Sequence, residues 1–460
     1  MRRTGAARRD GLAAPSHAMH DWTHAYALAA ALLDGPWDPA PMAARILAAL
    51  SEPPAPADDV ATDPDAWIYE LVDEIHARYP TPPHHSLRRL ACAILEAEAF
   101  DNDERWSRRV TRYATPAPAM GRMPWPVPGL ADHHALATWL GITGNELTAL
   151  ADIRGISRAG AAHQRHYRYA WIRKPNGGHR LVEAPKPRLR AVQRAVLDGI
   201  VARVPPHDAA YGFRAGRSVV DAAAQHVGRA VVMRVDLVGF FSSIRANQVA
   251  AILRSAGYPD DTAHTLAALT THRTPPDVLA TAPADARAPL DLARLRTAHL
   301  PQGAPTSGAL ANLAAYGLDV RITALAARLD ATYTRYADDL VLSGDRTLIR
   351  AATSIVARLA AIAADEGFAI NFRKTRVMTA ATRQRITGIV VNDKLGTTRA
   401  DVDRLRAILH NCRRDGPASQ NRDQLPDFRA HLRGRIAWVS QLDPAKGARL
   451  RAAFDDICWD

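Results

Sequence analysis

Three aspartates define the chemistry this chain is equipped for. Asp236 ends the β-prone run Ala230-Val231-Val232-Met233-Arg234-Val235. About a hundred residues later, Tyr333-Thr334-Arg335-Tyr336 and Leu340-Val341-Leu342-Ser343 flank Ala337-Asp338-Asp339, which reads as a β-hairpin with two acids at its tip. An Asp-Asp pair alone commonly occupies a solvated turn. Neighbouring strands that bring Asp236 close would add a third negative charge, and such a cluster calls for divalent cations. Hard Mg²⁺ prefers one or two carboxylates plus phosphate and water oxygens, and two such ions ~3.5 to 4 Å apart clamp the attacking and leaving oxygens of phosphoryl transfer.

Two further segments suit the same chemistry. Leu300-Pro301-Gln302-Gly303-Ala304-Pro305-Thr306-Ser307 is a turn-rich loop leading into the helical run Ala309 to Leu329, and its Gly and Pro permit close approach to a ligand. The competing account is a routine helix start capped by Thr306 or Ser307. Trp171-Ile172-Arg173-Lys174-Pro175-Asn176-Gly177-Gly178-His179-Arg180 reads as a hairpin with basic residues on both arms, suited to wrapping a triphosphate, or else simply solvated.

The elements that must position these residues occupy a chain of 460, long enough for two to four folded units. Apolar residues make up 47% and charged residues 23%, which excludes the composition of a disordered chain. No uninterrupted apolar run approaches the ~18 to 20 residues of a membrane span, and the Arg-rich start lacks the apolar stretch of a secretory signal, so a cytoplasmic protein without membrane contact is expected. Cys92, Cys412 and Cys458 show no CxxC spacing, which argues against a disulfide framework or a cysteine-based zinc site. The net charge of +12 is uneven: residues 1 to 160 hold 15 basic and 20 acidic residues, and the remainder 44 and 27. That is the pattern of a nucleic-acid-binding body preceded by a mildly acidic accessory region.

Residues 1 to 18 lack any period and are expected to be disordered. Residues 19 to 113 show helical spacing (Leu71, Ile75, Leu87, Leu90, Ile94) and form a helical accessory region, and 114 to 130, rich in proline, reads as a linker. Short amphipathic helices follow from Ala131 to Arg154. Helices and strands then alternate to about Val391, as in an α+β domain, before the chain returns to helix from Asp401.

Taken in order, these segments resemble the reverse transcriptases, and more particularly the bacterial retron-type branch, over about residues 165 to 455. Val235-Asp236 with Phe240-Phe241 looks like motif A, Leu300 to Ser307 like motif B, and Tyr336-Ala337-Asp338-Asp339 like motif C. Gly367-Phe368 with Asn371 and Lys374 looks like motif D, and Ile386-Thr387-Gly388 through Val391-Asn392 like the segment before the primer grip. Tyr211-Gly212-Phe213-Arg214 with Gly216-Arg217-Ser218 resembles the fingers segment ahead of motif A. Two departures stand out: Ala222-Ala223-Ala224-Gln225-His226 keeps the Ala and His of a frequent retron signature but lacks its Asn, and Ile386-Thr387-Gly388 replaces Val-Thr-Gly. His226 reads as a satisfied core histidine.

The resemblance implies a right-hand polymerase with an N-terminal mostly helical extension. Helices and fingers would span 131 to 228, a ferredoxin-like palm with motifs A to E 229 to 395, and a short helical, RNA-binding thumb 396 to 460. Asp236, Asp338 and Asp339 would be catalytic and hold two Mg²⁺ ions. Lys174 and Arg180 would grip the triphosphate of a dNTP, and Lys374 would protonate or screen the pyrophosphate. Phe241, five residues past Asp236, would lie under the sugar and exclude a ribose 2′-hydroxyl, with Phe240 in the core. Gln302 and Gly303 would meet the nascent base pair or template, Tyr336 the primer end, and Leu395 and Gly396 the primer strand. In the thumb, Arg404, Arg406, Arg413, Arg414, Arg433 and Arg435 would meet RNA phosphates, while Trp438 reads more as core than as a stacking platform.

The implied function is RNA-directed synthesis of a short cDNA (retron msDNA) on a dedicated structured noncoding RNA, in antiphage defence with an effector protein. The alternatives are a stand-alone defence or group II intron-like reverse transcriptase without such an RNA, and, from another class, a non-catalytic RNA-binding scaffold. No nuclease-like His/Asn cluster follows the thumb, which disfavours the intron type.

Overall fold

The computed structural model describes residues 15–51, 65–83, 87–101, 110–111, 118–174, 177–286 and 289–459. They group into two units, one holding the chain up to Ile153 together with Ala250–Ala267, the other Arg154–Val249 and everything from Ala268 onward.

In the first unit the helices Pro15–Leu33, Pro39–Ala49, Ala66–Arg78 and Leu87–Leu95 close around one apolar core. Ile68, Leu71, Val72 and Ile75 recur at three- and four-residue spacing, so one helical face meets Met42, Ile46, Leu90 and Ile94. Two short helices, His133–Leu140 and Gly144–Ala151, begin at Asp132 and Thr143, whose side chains accept from the third backbone N–H beyond each. They belong to this unit, whereas the sequence pattern groups them with the fingers. The expected disordered start lies outside the described residues up to residue 14, while residues 15 to 18 already belong to the first helix. Of the proline-rich stretch, residues 114 to 117 also lie outside. The remainder is irregular but anchored, with Val127 and Leu130 buried and the Gly121 N–H donating to the Gly257 carbonyl at 2.7 Å.

The second unit opens with an antiparallel hairpin, β1 (Tyr167–Arg173) and β2 (His179–Pro185), in register from Tyr167↔Pro185 to Arg173↔His179. Its central sheet is antiparallel and four-stranded, built from β3 (Val231–Asp236), β4 (Thr332–Tyr336), β5 (Asp339–Gly344) and β6 (Arg376–Thr379) in the order β4-β5-β3-β6. Val231, Val232, Met233 and Val235 are all fully buried, so both faces of β3 are covered, which explains why it is apolar apart from Arg234 and the terminal Asp236. The helix Thr347–Asp365 packs on this strand through Leu348, Ala352, Ile355, Leu359 and Ala363. By length and composition alone it could cross a membrane, although Arg350 and Arg358 interrupt its apolar run.

Beyond the sheet, β7 (Arg385–Ile386) and β8 (Ile389–Val390) form a hairpin turning at Thr387 and Gly388, both at positive φ. Helices Arg399–Asp415, Phe428–Leu442 and Pro444–Asp455 then pack around Leu405, Leu409, Leu432, Ile436, Leu450 and Phe454. All three cysteines are free thiols.

His226 is the satisfied core histidine that the sequence suggests. It is fully buried, with Nδ1 2.6 Å from Ser343 Oγ on β5 and Nε2 2.7 Å from Thr334 Oγ1 on β4. Burial, and then the charge of Arg229, pull its pKa down to about 3. A depressed folded-state value contributes stability that is present above the unfolded value and lost as pH falls. Between pH 8 and pH 5 the unfolded histidine protonates while the folded one does not, a loss of about 2 kcal/mol. Urea denaturation at both pH values is expected to show this increment in the wild type and not in His226→Gln.

Candidate active site

The strand register decides whether the three aspartates meet. β3 runs antiparallel to β5 with Asp236 opposite Asp339, and the Leu237 N–H donates to the Asp338 carbonyl at 2.9 Å. Tyr336 pairs with Asp339, so Ala337 and Asp338 form a two-residue turn, with Ala337 at φ 55°. A left-handed alanine is strained, and the fold holds it: the buried Arg335 guanidinium donates to the Ala337 carbonyl at 3.2 Å.

The electrostatics follow from packing three carboxylates together. Burial, then Asp339 and Asp236, push Asp338 up to about 6. Burial likewise raises Asp339, although Arg234 opposes the shift. Arg234 lies two residues before Asp236, on the same face of β3, and its guanidinium reaches both oxygens of Asp339 at 2.9 Å. Lys374 Nζ meets the two oxygens of Asp236 at 3.0 and 3.1 Å. Among the described residues no ion pair reaches Asp338, and no three acidic, His or Cys side chains already stand in metal-binding geometry. The donor set fits a hard divalent cation. Oxygen ligands are crowded at a strand end, Asp338 and Asp339 have their charged forms disfavoured, and the cations beside Asp236 and Asp339 sit where positive charge is needed.

The loop from Leu300 to Ser307 is anchored through Glu183 on β2. The Glu183 N–H donates to the Gln302 carbonyl at 2.8 Å. A Cβ on Gly303, at φ 129°, would lie 3.2 Å from the Glu183 carbonyl, so the approach requires glycine. The Glu183 side chain, 1% exposed, accepts from Thr274 Oγ1 at 2.7 Å and meets His299 Nε2 at 2.8 Å. Burial alone would raise this carboxyl, but His299, His272 and Thr274 hold it below the ordinary range. The loop is thus fixed at His299 and at Gln302 by a single residue.

The structure brings Asp236, Asp338, Asp339 and Lys374 together. Phe240 is buried and Phe241 half-buried beside it, with ring centroids 5.6 Å apart. Lys174 and Arg180 are exposed on the β1–β2 hairpin, whose turn residues 175 and 176 lie outside the described set. Gly396 bridges to Val390, and Leu395 packs on the cluster around Ile386 and Ile389. Arg404, Arg406, Arg413, Arg414 and Arg433 are exposed and Arg435 half-buried. Arg413 and Arg414 pair with Asp456 and Asp415 at the surface, where such pairs are worth little. Trp438 packs against the same cluster as Leu395 and also lines a groove. Arg234, Glu183 and His299 went unassigned in the sequence. A basic residue spaced two before Asp236 was the one available signal.

A family profile described as "Reverse transcriptase (RNA-dependent DNA polymerase)" matches residues 172–391, a span that begins at the last two residues of β1 and contains β2 to β8 and all three aspartates. Residues 172–391 are thus similar to reverse transcriptases, and the relatives that follow are retron enzymes by name. The chain is 40% identical over 293 residues to the Retron Mx65 reverse transcriptase and 37% over 340 residues to the Retron Mx162 reverse transcriptase, both of Myxococcus xanthus. These matches cover 62% and 70% of this chain, and 64% and 66% of the relatives' own length. The Retron Ec86 reverse transcriptase of Escherichia coli is 29% identical over 291 residues, 62% of this chain and 79% of that protein. The matched region has the right-hand polymerase fold and contains the four-stranded sheet.

Proposed function

We propose that this protein is an RNA-directed DNA polymerase that copies a structured noncoding RNA into a short cDNA. The observation that carries this reading is the pairing of Asp236 with Asp339 on adjacent strands, beside Asp338 in the turn, within the region that matches the reverse transcriptase family. Asp338, which no ion pair among the described residues reaches, is the first donor to divalent ions, and Asp236 joins it by exchanging the Lys374 ammonium for a metal, while Arg234 holds both oxygens of Asp339. Two bound Mg²⁺ ions would supply charge neutralisation at the primer hydroxyl and the leaving pyrophosphate. The protein's own contribution is alignment. Lys374 keeps Asp236 oriented and offers positive charge to the triphosphate, Arg234 fixes Asp339, and Glu183 sets the height of Gln302 under the base pair. Lys174 and Arg180, exposed on the fingers hairpin, are suited to triphosphate oxygens, and Phe241 to excluding a ribose 2′-hydroxyl.

For the RNA, support comes from the thumb. Between the β7–β8 turn and helices Arg399–Asp415 and Phe428–Leu442 lies a groove of about 640 Å³, lined by Arg385, His431, Arg435 and Trp438 among others. Cations beside an indole suit unpaired nucleotides of a folded RNA. Relatives named as retron enzymes are in line with a dedicated RNA; a cytoplasmic setting and antiphage defence with an effector protein complete the finer reading and rest on the resemblance of the sequence motifs. Primer extension on an RNA template with dNTPs and Mg²⁺ tests the assignment: template-directed DNA that disappears with EDTA is expected, and RNA binding without any synthesis would overturn it. RNA covalently joined to the product supports the retron reading.

A further inference from the structure

One of the two aromatic rings beside Phe241 lies outside the motif that contains it. Phe213 is 55% exposed, unusual for a phenylalanine, and sits at φ 55°, the left-handed region that costs a non-glycine residue about 1–2 kcal/mol. Its ring centroid is 5.8 Å from that of Phe241, with the planes at 65°, an edge-on contact. On its other side the ring occupies a notch at Gly308, where a Cβ would come within 2.5 Å of it.

The backbone leading to Phe213 is anchored to the catalytic turn. The Tyr211 N–H donates to the Arg335 carbonyl at 2.8 Å, and the Arg335 N–H to the Ala209 carbonyl at 2.7 Å. Asn312 Nδ2 donates to the Gly212 carbonyl at 2.7 Å, and a Cβ at Gly212 would lie 2.9 Å from the Ala337 nitrogen. Strain and exposure in one aromatic residue, held by this many contacts, mark a position kept for its effect on a site rather than for packing. Behind Phe241 stands the buried Phe240, itself 5.6 Å from Phe368.

We propose that Phe213 is a specificity-determining residue: together with Phe240 it brackets the Phe241 ring, limits its swing, and so sets how strictly a nucleoside triphosphate with a 2′-hydroxyl is rejected. The inference rests on the polymerase reading and deepens it. Phe213 acts through Phe241, as a positioning residue with no bond to the reacting atoms.

The test is single-nucleotide incorporation by the full chain on a primed RNA template, comparing kcat/KM for a deoxynucleotide with that for its ribonucleotide. Phe213→Gly removes the ring and suits the left-handed backbone, so folding is favoured where Phe213→Ala would remain strained. Selectivity is expected to fall at least tenfold, chiefly through a lower KM for the ribonucleotide, and Phe213→Tyr, which keeps the ring edge, restores it. A folded Phe213→Gly variant with wild-type selectivity overturns the inference and leaves the polymerase reading intact. Outright loss of deoxynucleotide incorporation also overturns it, because the ring would then serve the chemistry. A wild-type chain that incorporates neither nucleotide removes the polymerase reading together with the inference.

Discussion

Asp338→Asn is expected to reduce DNA synthesis at least about a thousandfold while leaving the fold as stable as before, or more so. The side chain is close in shape to the one it replaces, so the turn between β4 and β5 keeps its geometry. What disappears is one negative charge from a cluster of three. Burial and the neighbouring Asp339 and Asp236 push the Asp338 carboxyl up to about 6, so the folded state disfavours its ionised form. The sign follows from linkage. A raised acid value means the folded state binds more protons than the unfolded one, so ionised Asp338 costs stability as pH rises from about 4 to about 6. Replacing it by a neutral amide removes that cost, a gain of up to about 3 kcal/mol at pH 7 in the absence of metal. Activity and stability therefore move in opposite directions, which a merely structural residue would not do. Single-turnover primer extension and thermal denaturation of the same preparation measure both. Synthesis within tenfold of wild type would remove Asp338 from the active centre.

Much of this site was legible in the sequence because the residues concerned announce themselves locally. The run from Val231 to Val235 is buried and apolar at every position but Arg234, and the acid that ends it stands out. The spacing of Tyr333 to Tyr336 and Leu340 to Ser343 contains a two-residue turn and allows little else. The rest depends on contacts between residues distant along the chain. Glu183 meets Thr274 and His299, 91 and 116 residues away, and nothing near any of them in sequence marks the connection. Arg234 on a strand reads as an outward-facing charge until β5 brings Asp339 beside it. The positive φ of Phe213 could not be read from a phenylalanine, whose side chain gives no hint of left-handed backbone. The return of Ala250–Ala267 to the first unit is likewise non-local, as is the anchoring of the proline-rich stretch by Gly257.

The second large effect is expected beneath the motif C turn rather than in it. Asp319 and Arg335 form an ion pair with both side chains wholly buried, Nη2 to Oδ2 at 2.6 Å and Nε to Oδ1 at 2.8 Å. Tyr333 donates its hydroxyl to Asp319 at 2.8 Å, and Arg335 donates to Asn312 Oδ1 at 3.0 Å and lies over the Phe240 ring, 5.6 Å from its centroid. One guanidinium thus touches the helix after the Gln302 loop, the aromatic pair after Asp236, and the carbonyl just before Asp338. Asp319→Ala leaves that charge buried without its partner, and urea denaturation is expected to show a loss of about 3–5 kcal/mol. The pair itself is worth less than this figure, because both ions were desolvated to form it. Replacing both by apolar residues of similar volume (Asp319→Leu with Arg335→Met) is therefore expected to cost less than Asp319→Ala alone, giving a large coupling energy in the double-mutant cycle. Stability and synthesis should then separate. The double variant recovers folding but loses the hydrogen bond to the Ala337 carbonyl, so the left-handed turn relaxes and DNA synthesis stays low. A double variant that regains both would mean that the turn holds its shape without Arg335.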